Sequence, residues 1–248
     1  MRKLYWLSDA EWFRLEPLLP RGRKGAHRVD DRRVISGIVH MLRSGARWRD
    51  CPAEYGPYTT VYNRFNRWSR QGIWLAMFAA VTGSTGVIGT AAIDSSHIKA
   101  HRSAGGGKGG LRAGDRSLSR RPNNDAPRTE RRRRSATGSA PGNQHDVTMA
   151  PELLRLAGPI RRLLADKAYD TNKLRHLLAE HGVEAVIPSI ARRKPLIPYD
   201  PVLYRQRNLI ERMFGRLKDF RRIATRYDKL ARNFLAGIAL AATVTWWT

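Results

Sequence analysis

The sequence predicts an α/β domain preceded by an all-α, helix-turn-helix-like region. Two patterns predict it. Apolar residues recur at helical spacing through the first 80 or so residues, and short β-compatible runs replace them after "TGSTG" at residues 82–86. A third observation sets the partner: 46 Lys and Arg against 21 Asp and Glu give a formal charge of +25. Such an imbalance points to a polyanion, nucleic acid above all. A ribosomal-type protein and a membrane-surface binder share that charge signature.

In the first region, "SDAE" from Ser8 to Glu11 has capping-box spacing. Trp12, Leu15, Leu18 and Leu19 follow at helical intervals until Pro20. After a Gly/Arg/Lys loop, Val34, Ile35, Ile38, Val39 and Leu42 mark one apolar face, and Gly45 follows the helix end. Beyond the turn-rich "RDCPAEYGPY", the run "TTVYNRFNRWSRQGIW" reads as a helix capped by Thr59 or Thr60. Its Thr60, Asn63, Arg64 and Arg67 are the candidate DNA contacts of a major-groove reader. The alternative is a small helical bundle with an ordinary charged face. Residues 1–80 carry 15 basic and 7 acidic side chains, a net of +8 that tilts the reading toward DNA.

In the second region, "VIGTAAIDSSHIKAH", "IRRLLADKAYD" and "GVEAVIPSI" read as strands. "TNKLRHLLAEHG" reads as a helix capped by Thr171 and ended by Gly182, and further helices close the chain. The longest apolar run, Phe234 to Trp247, has 14 residues, short of the roughly 20 of a membrane span. One cysteine, Cys51, excludes an internal disulfide framework, and the start lacks the apolar core of a signal peptide. An intracellular, soluble protein with no membrane partner is expected.

The chemistry gathers around carboxylates. Asp94 follows the apolar run "TAAI" and Asp166 follows "RRLLA". A carboxylate after a buried strand is costly to desolvate unless it meets a cation or a donor. In "YRQRNLIERMFGRLK", Tyr204, Arg207, Glu211 and Lys218 fall within a stripe about 60° wide if the segment is one α-helix. Ile210, Met213, Phe214 and Leu217 form the adjoining apolar face. A surface Arg–Glu pair explains Arg207 and Glu211 alone; it does not explain Tyr204 and Lys218 on the same stripe. "GGGKGG" at 105–110 lacks the spacing of a phosphate-cradling P-loop and reads as a flexible DNA-facing loop. His97, His101 and His145 lack the spacing of a zinc set.

The run Y-x2-R-x3-E-x6-K resembles the signature around the last catalytic acid of DDE transposases from bacterial insertion sequences. "DSSHIKAHRSAGGGKGG", "ADKAYDTNKLR", "AVIPS" and "RNLIERMFGRLKDFRRIATRYDK" are similar to the insertion-sequence-five branch, as are the N-terminal "LSDAEWFRLEPLLP" and "HMLRSGARWRDCPAEYGPYTTVYNRFNRW". The resemblance covers about 1–110 and 141–248. It implies a helical DNA-binding domain at 1–82 and an RNase H-like catalytic domain at 90–248. By it, Asp94, Asp166 and Glu211 become the catalytic, metal-holding acids for two Mg²⁺ or Mn²⁺ ions. Tyr204, Arg207 and Lys218 become positioners of the DNA backbone, and His145 and Asp146 lie near the site. The implied activity is DNA strand cleavage and transfer at terminal inverted repeats. A bacterial cytoplasmic, nucleoid-associated protein, working as a homodimer or higher multimer on terminal-repeat and target DNA, is expected by analogy.

Residues 111–140 depart from that pattern. They hold nine Arg and three acids, with Leu111 and Leu118 as the only large apolar side chains, so the sequence predicts a disordered segment and a central sheet lacking two strands. Three readings compete: a basic loop that binds phosphates, a diverged insertion, and a compensated frameshift, which is favoured because Arg/Pro/Ala/Ser-rich text is typical of a GC-rich gene out of frame. An enzyme impaired despite an intact triad is then expected, and the alternative function is a noncatalytic DNA-binding remnant.

Overall fold

The computed structural model describes residues 3–20, 30–82, 88–101, 123–131, 135–137 and 146–246. In chain order its main elements are α1 (Asp9–Leu15), α2 (Asp31–Ser44), α3 (Tyr58–Arg70), α4 (Ile73–Thr82), β1 (Ile88–Ala100), β2 (Asn123–Arg131), β3 (Ser135–Thr137) and α5 (Asp146–Ala157). Then come β4 (Ile160–Leu164), α6 (Asn172–Glu180), β5 (Glu184–Val186), α7 (Pro201–Tyr204), α8 (Asn208–Lys218), α9 (Arg221–Ala224), β6 (Thr225–Arg226) and α10 (Ala231–Trp246). They divide into two compact units. The first takes the described residues of Met1–Val81, Lys99–Gly110 and Arg216–Thr248, the second those of Thr82–Ile98 and Leu111–Gly215.

In the first unit the capping box at α1 closes both ways. Ser8 Oγ accepts from Glu11 N at 3.2 Å, and Glu11 Oε2 accepts from Ser8 N at 2.6 Å. The apolar face of α2 is buried at Val34, Ile35, Ile38, Val39 and Leu42, and Gly45 ends the helix in the left-handed region at φ 70°. The start of α3 differs from expectation: its cap is Pro57, with no side-chain bond, and Thr59 and Thr60 lie inside the helix. α10 packs on both α2 and α3, and Phe234, Ala236 through Ala242, and Thr243 are buried along it. A helix apolar on nearly every face needs neighbours all round, and the stripes of α2 and α3 supply them. The compact units therefore divide the chain differently from 1–82 and 90–248, because the C-terminal helices join the N-terminal ones. Among the described residues, no helix is long and apolar enough to cross a membrane.

In the second unit the strands run in the order β3-β2-β1-β4-β5. β1 pairs parallel with β4, and β4 parallel with β5, the latter through the crossover helix α6. Ala91 and Ile93 on β1 and Leu163 and Ala165 on and after β4 face a core shared with Ala150 and Leu153 of α5 and Leu174 and Leu178 of α6. In the first unit, β6 pairs with Lys99 and Ala100 at the end of β1.

Two findings correct the sequence reading. Strands β2 and β3 form within 111–140 and pair antiparallel through Arg128–Thr137, Thr129–Ala136 and Glu130–Ser135, so the sheet does not lack strands there. Ladder hydrogen bonds belong to the backbone and form without apolar side chains, and α5 lies against both strands. The remainder of 111–140, and the "GGGKGG" loop, lie outside the described residues. The second finding is α5 itself. Its buried Ala150, Leu153 and Ala157 sit at helical offsets, a signal obscured by Pro151 inside the helix.

Candidate active site

Parallel register relates the segments that carry the two aspartates. β1 and β4 match Thr90 with Arg162, Ala91 with Leu163 and Ala92 with Leu164. Two residues past the last of these pairs stand Asp94, still on β1, and Asp166, two residues beyond the end of β4. Side chains alternate across a sheet, so with Ala91 and Ile93 of β1 turned to the core, Asp94 lies on the opposite face. Asp94 sits inside the 13-residue β1, not at a strand end. Asp166 lies just beyond β4, where Oδ1 accepts from Ala168 N at 2.9 Å and caps the turn Lys167–Tyr169.

Arg207 joins this pair to Glu211. Its Nη1 donates to Asp94 Oδ2 at 3.0 Å and its Nη2 donates to Glu211 Oε1 in the first turn of α8. Burial works against the guanidinium's charge, but Asp94, Tyr204, Glu211 and Asp166 outweigh it and hold Arg207 protonated above its ordinary range. The side chains of Arg207 and Asp94 are 17% and 16% exposed, whereas Glu211 is 52% exposed. A largely desolvated cation therefore bonds two carboxylates and feels the field of a third, offsetting part of their charge. Tyr204 sits beside it, its ring centroid 5.8 Å from the Arg207 guanidinium.

The segment bearing Tyr204, Arg207 and Glu211 is not one continuous α-helix. A tighter 3₁₀ turn, Arg205–Arg207, separates α7 from α8, and at about 120° per residue its three steps make roughly a full turn, which keeps Tyr204 on the side of Arg207. The apolar face is as expected at Ile210, Met213 and Leu217, which are buried, with Phe214 half-buried. Lys218 is exposed at the end of α8 and belongs to the first compact unit. Asp146 begins α5, and His145 lies outside the described residues.

A residue that the sequence reading left unassigned holds the loop behind the site. Asp170, with no exposed side-chain surface, accepts from Arg175 Nε at 2.6 Å, Arg193 Nε at 2.7 Å and Ile190 N at 2.8 Å. Burial pushes its carboxyl upward, but bonds from Arg193, Arg175 and Ile190 outweigh this and keep it below the usual carboxylate range.

A family model described as "Transposase DDE domain" matches residues 86–246, well over half of the chain. The chain belongs to the DDE transposases. A second model, "Putative transposase of IS4/5 family", matches residues 7–78. Similar proteins include "Uncharacterized protein y4sN" of Sinorhizobium fredii, 36% identical over 104 residues, 41% of this chain and 82% of the relative. "Insertion element IS402 uncharacterized 16.2 kDa protein" of Burkholderia cepacia is 35% identical over 107 residues, covering 38% and 73%. "Putative transposase for insertion sequence element IS6501" of Brucella ovis is 34% identical over 107 residues, covering 43% and 82%.

DDE transposases act on DNA through an RNase H-like domain, and the family generally uses divalent metal ions. In this transposase the donor chemistry suits them: three carboxylates offer only hard oxygen ligands. In the arrangement described, Arg207 supplies the cation between Asp94 and Glu211. Among the described residues no three His, Cys, Asp or Glu side chains come close enough to ligate one ion.

The candidate DNA-reading residues on α3 separate by exposure. Asn63 and Arg67 are exposed and Thr60 is half-buried. Arg64 is 5% exposed, its Nη1 donates to Asp31 Oδ1, and its guanidinium lies 4.9 Å from the Trp68 ring centroid. It joins α3 to α2, so in this structure its guanidinium is engaged within the fold.

Proposed function

We propose that this transposase cleaves DNA at the ends of its insertion sequence and transfers the freed strands, with Asp94, Asp166 and Glu211 holding two Mg²⁺ or Mn²⁺ ions. The observation that supports it is Asp94 on β1 with Asp166 just past the end of the parallel neighbour β4, and Arg207 bonded to both Asp94 and Glu211. Bound ions supply Lewis acidity for an in-line displacement at phosphorus. The chain's own residues do the rest. Asp94 on β1 and Asp166 at the cap of the turn after β4 would hold their carboxylates on ordered backbone. Glu211, the most exposed of the three, closes the set from α8.

Arg207 balances the negative charge while the site waits, and it is positioned to move onto a DNA phosphate when stronger cations take the carboxylates. Tyr204 and Lys218 contribute to backbone positioning, and Asn63 and Arg67 are the exposed candidates for reading terminal repeats in the major groove. Paired ends call for two active sites, so a homodimer or larger multimer on DNA is part of the proposal.

A noncatalytic DNA-binding remnant is the second reading. The Arg207 pairing favours it, because a guanidinium bonded to two of the three acids competes with metal. A gel shift and a nicking assay with terminal-repeat DNA, each with and without Mg²⁺, separate the two. The enzyme nicks only with Mg²⁺, and Glu211→Gln abolishes nicking while retaining the shift. A shift without nicking under any divalent ion makes the chain a remnant.

A further inference from the structure

A cleft of about 600 Å³ in the first compact unit has a composition that the catalytic reading does not use. Its aromatic lining is Trp48, Tyr58, Tyr62 and Tyr227, and its cationic lining is Arg47, Arg49, Arg222 and Lys229. Tyr58 opens the first turn of α3 and is 47% exposed. Tyr62, one turn on, stands 5.4 Å from Trp48 between ring centroids, and Trp48 stacks on Phe65 at 5.2 Å. The Arg222 guanidinium lies 5.0 Å from the Trp48 ring and 5.5 Å from that of Tyr227. Among the described residues that line the cleft the one acid is Asp228, which accepts from Arg222 Nη2 at 3.2 Å. The cleft thus pairs aromatic surface with uncompensated positive charge at Arg49 and Lys229, both exposed at its edge.

A second observation falls on the same walls. Trp48 Nε1, Arg222 Nε and Asn233 Oδ1 are buried without a hydrogen-bond partner. Arg222 is 5% exposed and Asn233 3%. Their other groups are engaged: Arg222 Nη1 donates to Ala46 O at 2.8 Å, and Asn233 Nδ2 donates to Asn66 Oδ1 at 3.2 Å. What is left over is two donors and one acceptor, the kind of set that the edge of a nucleobase satisfies. These atoms lie beneath the surface, so an occupant reaches them only as the cleft's side chains turn outward.

We propose that this cleft takes up unpaired DNA nucleotides, their bases stacking on Tyr58 and Tyr62 and their phosphates meeting Arg49 and Lys229. The proposal rests on DNA being the chain's partner, and it assigns single-strand recognition to a site built from α3, the turn Trp48–Asp50 and the segment leading into α10. The volume excludes a duplex, which is read from its grooves and not from inside a pocket, whereas it fits a ligand of nucleotide size. Stacking on aromatic rings flanked by cations is tolerant of sequence, since every base has a π-face. The cleft would therefore hold strands opened near a cut, whatever their sequence.

The test uses the full chain and fluorescence anisotropy with three labelled probes of equal length: oligothymidine, an abasic strand with the same phosphates, and a blunt duplex. Oligothymidine should bind at least roughly 5-fold tighter than the abasic strand, the lower end expected of base–aromatic stacking. Tyr58→Ala, at an exposed position, should erase that preference and leave abasic and duplex binding within about twofold. Lys229→Gln should weaken the oligothymidine and abasic strands by the same factor. Equal affinity for the oligothymidine and abasic strands overturns the proposal, as does a Tyr58→Ala variant that loses both equally. Glu211-dependent nicking alongside either result leaves the catalytic reading standing. A Tyr58-dependent base preference in a chain that never nicks leaves the cleft and removes the enzyme.

Discussion

Asp170 is the residue whose loss should cost most. Two guanidiniums and a backbone amide converge on a carboxylate with no exposed side-chain surface. Asp170→Asn keeps the shape and removes the charge, leaving Arg175 and Arg193 partly uncompensated. Breaking a buried pair costs about 3–5 kcal/mol, so urea or thermal unfolding should show a loss of that order. The pH dependence has a definite sign. The folded carboxyl titrates below its ordinary value, so its stabilisation is whole above the unfolded pKa of about 3.9 and drains as the pH falls through the folded value. The gap between wild type and Asp170→Asn should accordingly narrow as unfolding is measured toward acid. Arg207→Gln should act through metal: without its guanidinium Asp94, Asp166 and Glu211 repel one another, so the variant should melt below wild type in chelator and regain stability as Mg²⁺ is added, by RT ln(1 + [Mg²⁺]/Kd). A variant insensitive to Mg²⁺ would remove Arg207 from the site's charge balance. The elements that carry Asp94 and Glu211, and the strand that Asp166 follows, were legible in the sequence because apolar neighbours set the strand and helix patterns. Arg64 and Asp170 were not. Arg64 lies on a helix face whose burial is decided by Asp31, 33 residues earlier, and Asp170 depends on Arg193, 23 residues later.

At the scale of elements, helices were read well wherever one apolar face announced them, as at α2 and α6, and poorly where chemistry interrupted the pattern. Pro151 hid α5, and the turn Arg205–Arg207 split what spacing alone presents as one helix. The α2 helix also carries a close approach that no periodicity reveals. A Cβ on Gly37 would stand 2.8 Å from Tyr55 Cβ, and Tyr55 is fixed by the bond its hydroxyl donates to Tyr5 O at 2.6 Å. Gly37→Ala should therefore destabilise the first unit by about 1–3 kcal/mol through overpacking, despite the better helix propensity of alanine. A stabilised variant would mean that Tyr55 yields freely. The strands β2 and β3 pose the opposite case, since "NNDAPRTER" and "SAT" contain no large apolar residue yet pair. If residues 111–140 are out-of-frame text, translating the same nucleotides in the other two frames should yield alternating apolar segments. Restoring that frame should raise the melting temperature by filling a buried sheet face. Polar text in all three frames would make the segment a genuine, basic part of the protein.

For the whole molecule, the +25 charge decides how DNA is held before any specific contact forms. Each phosphate neutralised releases counterions, so the logarithm of affinity falls linearly with the logarithm of salt, at about −0.9 per phosphate on a duplex. The charge is spread unevenly: residues 1–80 carry a net of +8, and residues 111–140 carry nine arginines against three acids, a net of +6. The run Arg131, Arg132, Arg133 and Arg134 concentrates four of those charges. Changing all four to Gln should flatten the salt slope by about one unit for each phosphate they contact, and should weaken every duplex alike, because phosphate contacts carry no sequence information. Titrations of a terminal-repeat duplex and a scrambled one, each at several salt concentrations, measure both effects. An unchanged slope would assign the phosphate contacts to other residues. A slope that falls for the terminal repeat alone would instead give the arginine run a part in recognising the element's ends, a role its composition does not suggest.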